Sequence, residues 1–438
     1  MIFPLQTKKS VLSPQDSAHS KTSQTTGNPV VERRSPIKIL DDGGVIPIVE
    51  LLSSIIEEAH ALRASDIHIE PTEKNVAVRF RIDGVLQDAL TLPRTILSEV
   101  ISRIKVVSSL RTDEHQAAQD GRFRIDLHSN LPIDIRVSIT PTYYGENAVL
   151  RLLADNATDF TLAALGFSED DQKKIVAAVK RPHGMILSTG PTGSGKTTTL
   201  YTLVKMLNTK GISIVTIEDP IEYAISGITQ IQINQRSGLS FSQGLRSILR
   251  QDPNIIMVGE IRDAETAGIA VNTALTGHLL LSTLHTNDAS TTLPRLLDMG
   301  IDAYLVASTV NIAIGQRLVR RICEHCKEEH RLNEAEQTSL RESLPTRLNL
   351  PGQELPDLFY RGRGCKKCDN SGYIGRIGIN EVLEVGTEVR DAILRKASAL
   401  TIKHIAVANG MTTMFEDGFN KAVEGKTTIA EVLRTINE

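Results

Sequence analysis

Residues 190–197 read GPTGSGKT, and this octapeptide decides the fold class of the chain. It matches G-x-x-x-x-G-K-S/T, the pattern of a loop whose backbone N–H groups cradle phosphate oxygens. An apolar stretch precedes the loop, and TTTLYTLVKML continues from it with a helical pattern. We therefore expect Lys196 to reach the β- and γ-phosphates of a nucleotide, and the Thr197 hydroxyl to bind Mg²⁺. The predicted nucleotide-binding residues are Gly190, Pro191, Thr192, Gly193, Ser194, Gly195, Lys196, Thr197 and Thr198.

The segments around this loop alternate short apolar runs with helical patterns. The apolar runs cover residues 185–188, 212–217, 255–258 and 279–284. Such alternation predicts a mostly parallel sheet with helices on both faces. We therefore expect an α/β core over residues 160–318.

The composition changes on either side of this core. Residues 41–159 combine helical patterns with alternating strands, which predicts an α+β domain. A cysteine-containing module is expected at 319–380, and a helical region at 381–438. Residues 1–40 are rich in Ser, Thr, Gln, Lys and Pro, so we expect a disordered tail, either without a role or acting as a tether.

Acidic residues and histidines stand at the ends of the predicted strands. Glu260 closes the apolar run of QDPNIIMVGEIRD (251–263), where an acidic residue beside a phosphate loop serves Mg²⁺. Glu218 closes another strand, while His278 precedes a strand and His285 follows it. Each one alone could be a helix cap or an ordinary surface residue. Because ligands bind at the carboxyl ends of parallel strands, we expect these side chains to gather near the phosphate loop.

The overall composition argues against several classes of protein. The 438 residues include 49 Lys+Arg and 52 Asp+Glu, which gives a net charge of −3, and only 4% are aromatic. A near-neutral, aromatic-poor chain has neither the charge nor the stacking platform typical of nucleic-acid binding. The sequence has no apolar run of ~18 residues and no signal-peptide pattern in its first 20, so we expect a cytosolic protein.

The four cysteines form two C-x-x-C pairs, Cys323/Cys326 and Cys365/Cys368. Each pair can clamp one metal ion with two thiolates, and four thiolates complete a tetrahedral zinc shell. Residues 327–364 separate the pairs, more than the ~15–20 residues of a compact zinc ribbon. We favour structural Zn²⁺; reduced thiols and a labile disulfide remain the alternatives.

A series of motifs resembles the secretion ATPases of type II secretion and type IV pilus assembly, over about residues 45–438. The motifs are ASDIHIEP (64–71), QDGR (119–122), DIRVS (134–138), the phosphate loop, TIEDPIEY (216–223), the segment 251–263, TGH…LHT (276–286) and RLVRRICEHCK (317–327). The resemblance implies a RecA-like P-loop ATPase core preceded by a PAS-like α+β domain. It also implies a homohexamer that binds ATP at its subunit interfaces.

The resemblance assigns roles to individual residues. Glu218 becomes a candidate to orient or activate the attacking water, and Glu260 a Mg²⁺ contact and second candidate base. His285 would sense the γ-phosphate, supported by His278. Arg122 and Arg136 would reach nucleotide across a domain or subunit boundary, because the arginine fork meets phosphate oxygens bidentately. An ordinary salt bridge on a strand face is the alternative for both arginines.

The function implied is ATP hydrolysis that drives pilus or pseudopilus assembly, or type II protein secretion, at the inner membrane. The implied partners are inner-membrane platform and recruitment proteins, with no nucleic acid, and the cofactors are ATP, Mg²⁺ and Zn²⁺. The Cys₄ module favours assembly or secretion over pilus retraction, because retraction motors generally lack it. Residues 1–40 look too short and polar for the additional folded domain that type II members usually carry there. The alternatives are a RecA-type nucleic-acid motor and a nucleotide-binding scaffold without turnover.

Overall fold

The computed structural model describes residues 47–126, 132–153, 160–234, 237–343, 356 and 358–437. The predicted tail at 1–40 lies outside the described residues. Within the described part of the chain, no helix combines the length and the hydropathy that a membrane span requires.

The amino-terminal part forms a six-stranded antiparallel sheet with two helices, α1 (Ile48–Ala61) and α2 (Leu97–Val107). Its strands are β1 (Ala64–Pro71), β2 (Asn75–Ile82), β3 (Val85–Pro93), β4 (Gln119–Asp126), β5 (Pro132–Thr142) and β6 (Gly145–Leu153), in the spatial order β3-β2-β1-β6-β5-β4. In β2, Val76, Val78 and Phe80 are buried, whereas the alternating residues Arg79 and Arg81 are not. Because side chains alternate along a strand, the sheet has one apolar face and one charged face.

The second sheet has seven strands in the order β15-β12-β7-β11-β10-β8-β9. The strands are β7 (Gly184–Thr189), β8 (Ile214–Glu218), β9 (Thr229–Gln232), β10 (Ile255–Val258), β11 (Leu279–Leu284), β12 (Val310–Ile322) and β15 (Tyr373–Glu384). All neighbouring strands from β12 to β9 are parallel, and only β15 is antiparallel to its neighbour. The predicted α/β core with a mostly parallel sheet is therefore confirmed.

Helices cover both faces of this sheet, which explains why β7, β8, β10 and β11 are buried along their whole length. The helices of the core are α3 (Glu169–Val179), α4 (Lys196–Leu207), α5 (Phe241–Ile248), α6 (Ala264–Leu275), α7 (Ala289–Asp298) and α8 (Ala303–Thr309). One apolar cluster joins α3 and α4 to the sheet, and a second cluster joins α5, α6, α7 and α8.

The carboxy-terminal part builds onto the same sheet. It contains the two-stranded sheet of β13 (Lys327–Arg331) and β14 (Leu358–Gly362), and the helices α9 (Glu334–Ser343), α10 (Thr387–Leu394), α11 (Ala399–Ala408), α12 (Met414–Val423) and α13 (Ile429–Asn437). Strand β12 runs through residue 318, and β15 runs through residue 380, the two positions at which the sequence suggests boundaries. The change of pattern near Leu318 marks the point where β12 passes from complete to alternate burial.

Candidate functional site

The predicted phosphate loop lies between the end of β7 and the start of α4. Gly190, Gly193 and Gly195 have φ angles of 140°, 80° and 94°, a region that disfavours other residues. A Cβ on Gly190 would lie 2.4 Å from the Gln316 carbonyl oxygen, whereas a Cβ on Gly193 would meet nothing within 4 Å. The loop is therefore closed on the side of β12 and open on the other side.

Lys196 is held inside this loop. Its Nζ donates to the carbonyl oxygens of Gly190 and Pro191, each at 2.8 Å, and the residue is 8% exposed. Burial lowers the pKa of Lys196, and the nearby Glu260 carboxylate opposes that shift. The Ser194 hydroxyl is buried and has no partner among the described residues, while Thr197 is exposed. A cation and an unpaired hydroxyl in a glycine cradle are the groups that a phosphate would bind.

Two further contacts, neither of which the sequence predicts, fix the loop to its surroundings. Thr189 Oγ1, one residue before the loop, lies 2.8 Å from the Thr286 carbonyl oxygen and accepts from the Thr286 N–H at 3.0 Å. Gln316, on β12, accepts from the Thr199 hydroxyl at 2.8 Å. Both depend on strand order, which a local motif does not show.

Glu218 lies at the end of β8 with both carboxylate oxygens engaged. It is 2% exposed and accepts from the hydroxyl of Tyr201, from Thr216 Oγ1 at 2.6 Å and from Gln230 Nε2 at 3.2 Å. Burial and the Glu218 carboxylate raise the pKa of Tyr201, so this phenol stays protonated and donates. In this arrangement Glu218 ties α4 to β8.

Glu260 and His285 lie together at the carboxyl edge of the sheet. The parallel pairing of β10 with β11 brings them there, and Glu260 Oε2 is 3.1 Å from His285 Nε2. The other oxygen of Glu260 is 2.6 Å from Arg262 Nη2, and this hydrogen bond raises the pKa of Arg262. The Glu260 side chain remains 12% exposed, so it is more accessible than that of Glu218.

His278 does not join this group, which corrects the expectation that it lies near the phosphate loop. Its carbonyl oxygen accepts from Gly184 N at 3.1 Å, at the amino end of β7. The phosphate loop follows the carboxyl end of that six-residue strand, ~20 Å away at ~3.3 Å per residue. The physical reason is strand direction, since a residue that precedes a parallel strand lies at the opposite edge from one that follows it.

The predicted arginines lie on the charged face of the six-stranded sheet. Arg122, Arg136 and Arg151 stand directly opposite one another on β4, β5 and β6. Arg136 Nη2 donates to the Ile221 carbonyl at 2.9 Å and lies 3.2 Å from Glu222 Oε2, in the loop that follows Glu218.

The other two arginines of this row differ in their contacts. Arg122 is exposed, and Arg151 is paired with Asp66 at 2.9 Å. The sequence does not predict the place of Arg151 in this row, because pairing register cannot be read from one strand alone.

The four cysteines form one cluster, with all four Sγ atoms within 4.8 Å of one another. Three of the separations are 3.9 Å (Cys323–Cys365), 3.7 Å (Cys326–Cys368) and 3.6 Å (Cys365–Cys368). A tetrahedron with Zn–S bonds of ~2.3 Å has sulfur–sulfur edges of ~3.8 Å, so the cluster fits Zn²⁺.

The environment of the thiols also suits a metal. All four are free thiols, and only Cys365 is not buried. Burial raises the pKa of Cys326 to about 12. Burial also opposes ionisation of Cys368, but N–H groups of Cys365 and Gly372 outweigh it and lower the pKa to about 7. Ionisation of Cys368 is therefore easier than ionisation of Cys326, and a divalent cation would stabilise the thiolates.

Comparison with known proteins gives consistent results. The family model described as Type II/IV secretion system protein matches residues 41–434. Type II secretion system protein E of Xanthomonas campestris is 46% identical over 394 residues, which cover 90% of this chain and 68% of that protein. The type IV pilus assembly ATPase PilB of Myxococcus xanthus is 43% identical over 396 residues, with the same coverage of 90% and 68%.

Solved structures share the fold. The pilus retraction motor PilT with bound ADP aligns with a TM-score of 0.58 and 25% identity, covering 87% of this chain and 96% of PilT. The ATPase DotB of Legionella pneumophila aligns with a TM-score of 0.65 and 23% identity, covering 90% of this chain and 97% of DotB. This chain therefore shares its fold with these two proteins.

Proposed function

The chain belongs to the family of type II/IV secretion system proteins, and we propose that it is an ATPase that drives pilus or pseudopilus assembly, or type II protein secretion. The relatives named for type II secretion and for pilus assembly support both readings equally. One observation carries the proposal: Glu260 and His285 lie together at the carboxyl edge of the parallel sheet, the same edge at which the phosphate loop follows β7. Charge neutralisation and a proton acceptor are the two things phosphoryl transfer to water needs.

The residues divide this work as follows. Lys196 would leave its two carbonyl partners and bind the β- and γ-phosphates, with the N–H groups of residues 190–195 around them. Thr197 and Glu260 would hold Mg²⁺, which supplies charge neutralisation between the phosphates when bound. Glu260 would also accept the proton of the attacking water, since it is the more accessible carboxylate. His285 would donate to the γ-phosphate, and Glu218 would keep α4 and β8 in register.

We further propose a homohexamer in which Arg122, Arg136 and Arg151 act on nucleotide held by another subunit or after closure of the amino-terminal domain. The support is their common row on one face and the contact of Arg136 with the loop after Glu218. On closure, the Arg136 guanidinium would leave the Glu222 carboxylate and bind phosphate oxygens, which it can contact in the same bidentate way.

The remaining assignments follow from the family. We propose that the α+β domain over 41–159 is PAS-like, that residues 160–318 are the RecA-like domain, and that 319–380 bind structural Zn²⁺. The helical region 381–438 would complete the core. The protein would act in the cytoplasm, bound to an inner-membrane platform and its recruitment proteins, and without nucleic acid.

Phosphate release from Mg-ATP by the purified chain tests this proposal. We expect turnover that Lys196→Ala abolishes, because the variant removes the charge on the β/γ-phosphates. Binding of ATP by the wild-type chain without phosphate release, at every oligomeric state obtained, would identify a scaffold and refute the proposal. Strong stimulation by single-stranded DNA or RNA would instead identify a nucleic-acid motor.

A further inference from the structure

Glu381 is a buried carboxylate on β15 that no part of the proposed chemistry uses. The residue is 1% exposed. Its Oε1 accepts from the N–H of Ala289 at 2.7 Å, and its Oε2 accepts from the N–H of Met414 at 3.2 Å. Ala289 and Met414 are the first residues of α7 and α12. One carboxylate therefore binds the amino ends of two helices, where the helix dipoles favour negative charge.

The neighbouring strand leaves space for this side chain. Gly315 on β12 stands directly opposite Glu381 on β15. A Cβ on Gly315 would lie 2.8 Å from Glu381 Cγ, 2.9 Å from Glu381 Oε1 and 3.0 Å from Ala289 N. The glycine is needed here for close approach, and any larger residue would push the carboxylate away from α7.

The same row of residues continues to the phosphate loop. Gly315 is also paired with Thr189 on β7, and the Thr189 hydroxyl donates to the Thr286 carbonyl oxygen and accepts from the Thr286 N–H. Residues 285–288, here called the His285 loop, are thus fixed at both ends. Thr189 holds the beginning of the loop, and Glu381 holds the first residue of the helix that follows it.

We propose that Glu381 is a positioning residue for the proposed ATPase reaction, which keeps His285 in place by binding the start of α7 while it holds α12 with its other oxygen. The inference rests on the proposed function for its catalytic consequence, but its structural part stands on the two hydrogen bonds. It assigns α12 a role in setting the geometry of the His285 loop, since a shift of α12 would pull on the carboxylate that fixes α7.

Glu381→Gln is the perturbation that tests the proposal. The amide keeps the size of the side chain but has a single acceptor oxygen, so one of the two helix N–H groups loses its partner and faces an NH₂ group instead. We expect kcat to fall about 10- to 100-fold, the usual effect of a displaced catalytic group. ATP binding, measured by equilibrium titration, should change less than about twofold, because the phosphate loop is untouched. Glu384→Gln is the matched control, since Glu384 ends the same strand with an exposed side chain and should leave turnover unchanged.

A double-mutant cycle separates positioning from general destabilisation. If Glu381 acts through the His285 loop, Glu381→Gln should cost much less turnover in a His285→Gln background than in the wild type. Gly315→Ala should resemble Glu381→Gln by displacing the carboxylate. Full and independent losses in the double variant, or wild-type kcat in Glu381→Gln, would overturn the proposal.

Amide exchange tests the role of Glu381 independently of the proposed ATPase function. In Glu381→Gln, the first turn of α7 or of α12 should exchange about 5- to 10-fold faster, as expected for one lost hydrogen bond. If the wild-type chain hydrolyses no ATP, the proposed function fails, and the exchange of α7 and α12 then decides whether Glu381 positions them. Unchanged exchange in both helices would overturn the Glu381 proposal in either case.

Discussion

Replacing Glu431 with glutamine should loosen α13 from β12 beside the cysteine cluster. Glu431 is almost fully buried, and its two oxygens bind Arg320 Nη2 at 2.6 Å and Arg434 Nη2 at 3.0 Å. Burial alone would raise its pKa, but the hydrogen bonds from Arg320 and Arg434 outweigh it and lower the pKa from 4.5 to about 2. At about 1.4 kcal/mol per pKa unit, the ionised carboxylate contributes about 3 kcal/mol to stability at neutral pH.

The sign of the pH dependence follows from the lowered pKa. The stabilisation is complete above the unfolded-state pKa near 4.5 and is lost as the pH falls towards about 2. We therefore expect Glu431→Gln to speed exchange of the α13 amides strongly at pH 7. The difference from wild type should shrink to less than half, in free energy, by about pH 3.

Local amide exchange is the suitable assay, because a chain with several cooperative units does not unfold in two states. Glu424→Gln is the control, since Glu424 pairs with Lys426 at the surface and both side chains are about half exposed. Surface pairs contribute ~0–1 kcal/mol, so that variant should change little. An equal effect of both variants, or an effect of Glu431→Gln that does not diminish in acid, would refute the reasoning.

Three further predictions concern the site itself. Glu260→Gln should still bind ATP but lower kcat by about 100-fold or more, whereas Glu218→Gln should mainly loosen α4. A larger loss of phosphate release in Glu218→Gln than in Glu260→Gln would make Glu218 the principal base. Arg136→Ala and Arg151→Ala should lower kcat more than ATP affinity. If the arginines act between subunits, the wild-type ATPase rate should rise more than linearly with protein concentration, and a strictly linear rise in a monomeric sample would contradict that action. Cys365→Ser should lose about one Zn²⁺ per chain by elemental analysis and should speed amide exchange around the cluster, while ATP still binds. A wild-type protein without metal, together with an exchange profile that Cys365→Ser does not change, would exclude the zinc site.

The sequence predicts those parts of the site that depend on local pattern. The phosphate loop needs only a strand, a glycine-rich turn and a helix in succession, and all three can be read from residues 184–207. Glu260 and His285 each follow an apolar strand, so the rule for parallel sheets brings them to one edge. The same rule, applied with strand direction in mind, places His278 at the other edge.

The sequence does not predict contacts that depend on which strands are neighbours. Thr189, Gln316 and Glu381 are ordinary polar residues in apolar runs, and nothing nearby in sequence indicates their partners. The partner of Glu381 through Oε1 is Ala289, and that of Gln316 is Thr199. These partners lie far apart in the sequence. Their contacts therefore depend on the spatial order of strands β15, β12 and β7, which a single sequence does not show.

Strands β12 and β15 connect the cysteine cluster to the candidate nucleotide site. Cys323 follows β12 directly, and β15 begins shortly after Cys368. The two strands pair from Ile312–Glu384 to Ile322–Tyr373, so a metal that joins the two C-x-x-C pairs would fix one end of this ladder. Along it stand Gln316, which backs the phosphate loop, and Glu381, which holds the His285 loop.

Relative sliding of these strands would move Gln316 and Glu381 with respect to each other, because antiparallel pairing fixes both by the same hydrogen-bond register. Cys323 lies seven residues beyond Gln316, or ~23 Å along an extended strand, too far for a thiolate to take part in phosphate chemistry. We therefore expect a metal at the cluster to influence turnover by holding the register of β12 and β15. Its loss should then lower the precision with which His285 is placed, seen as a fall in kcat larger than any change in ATP affinity.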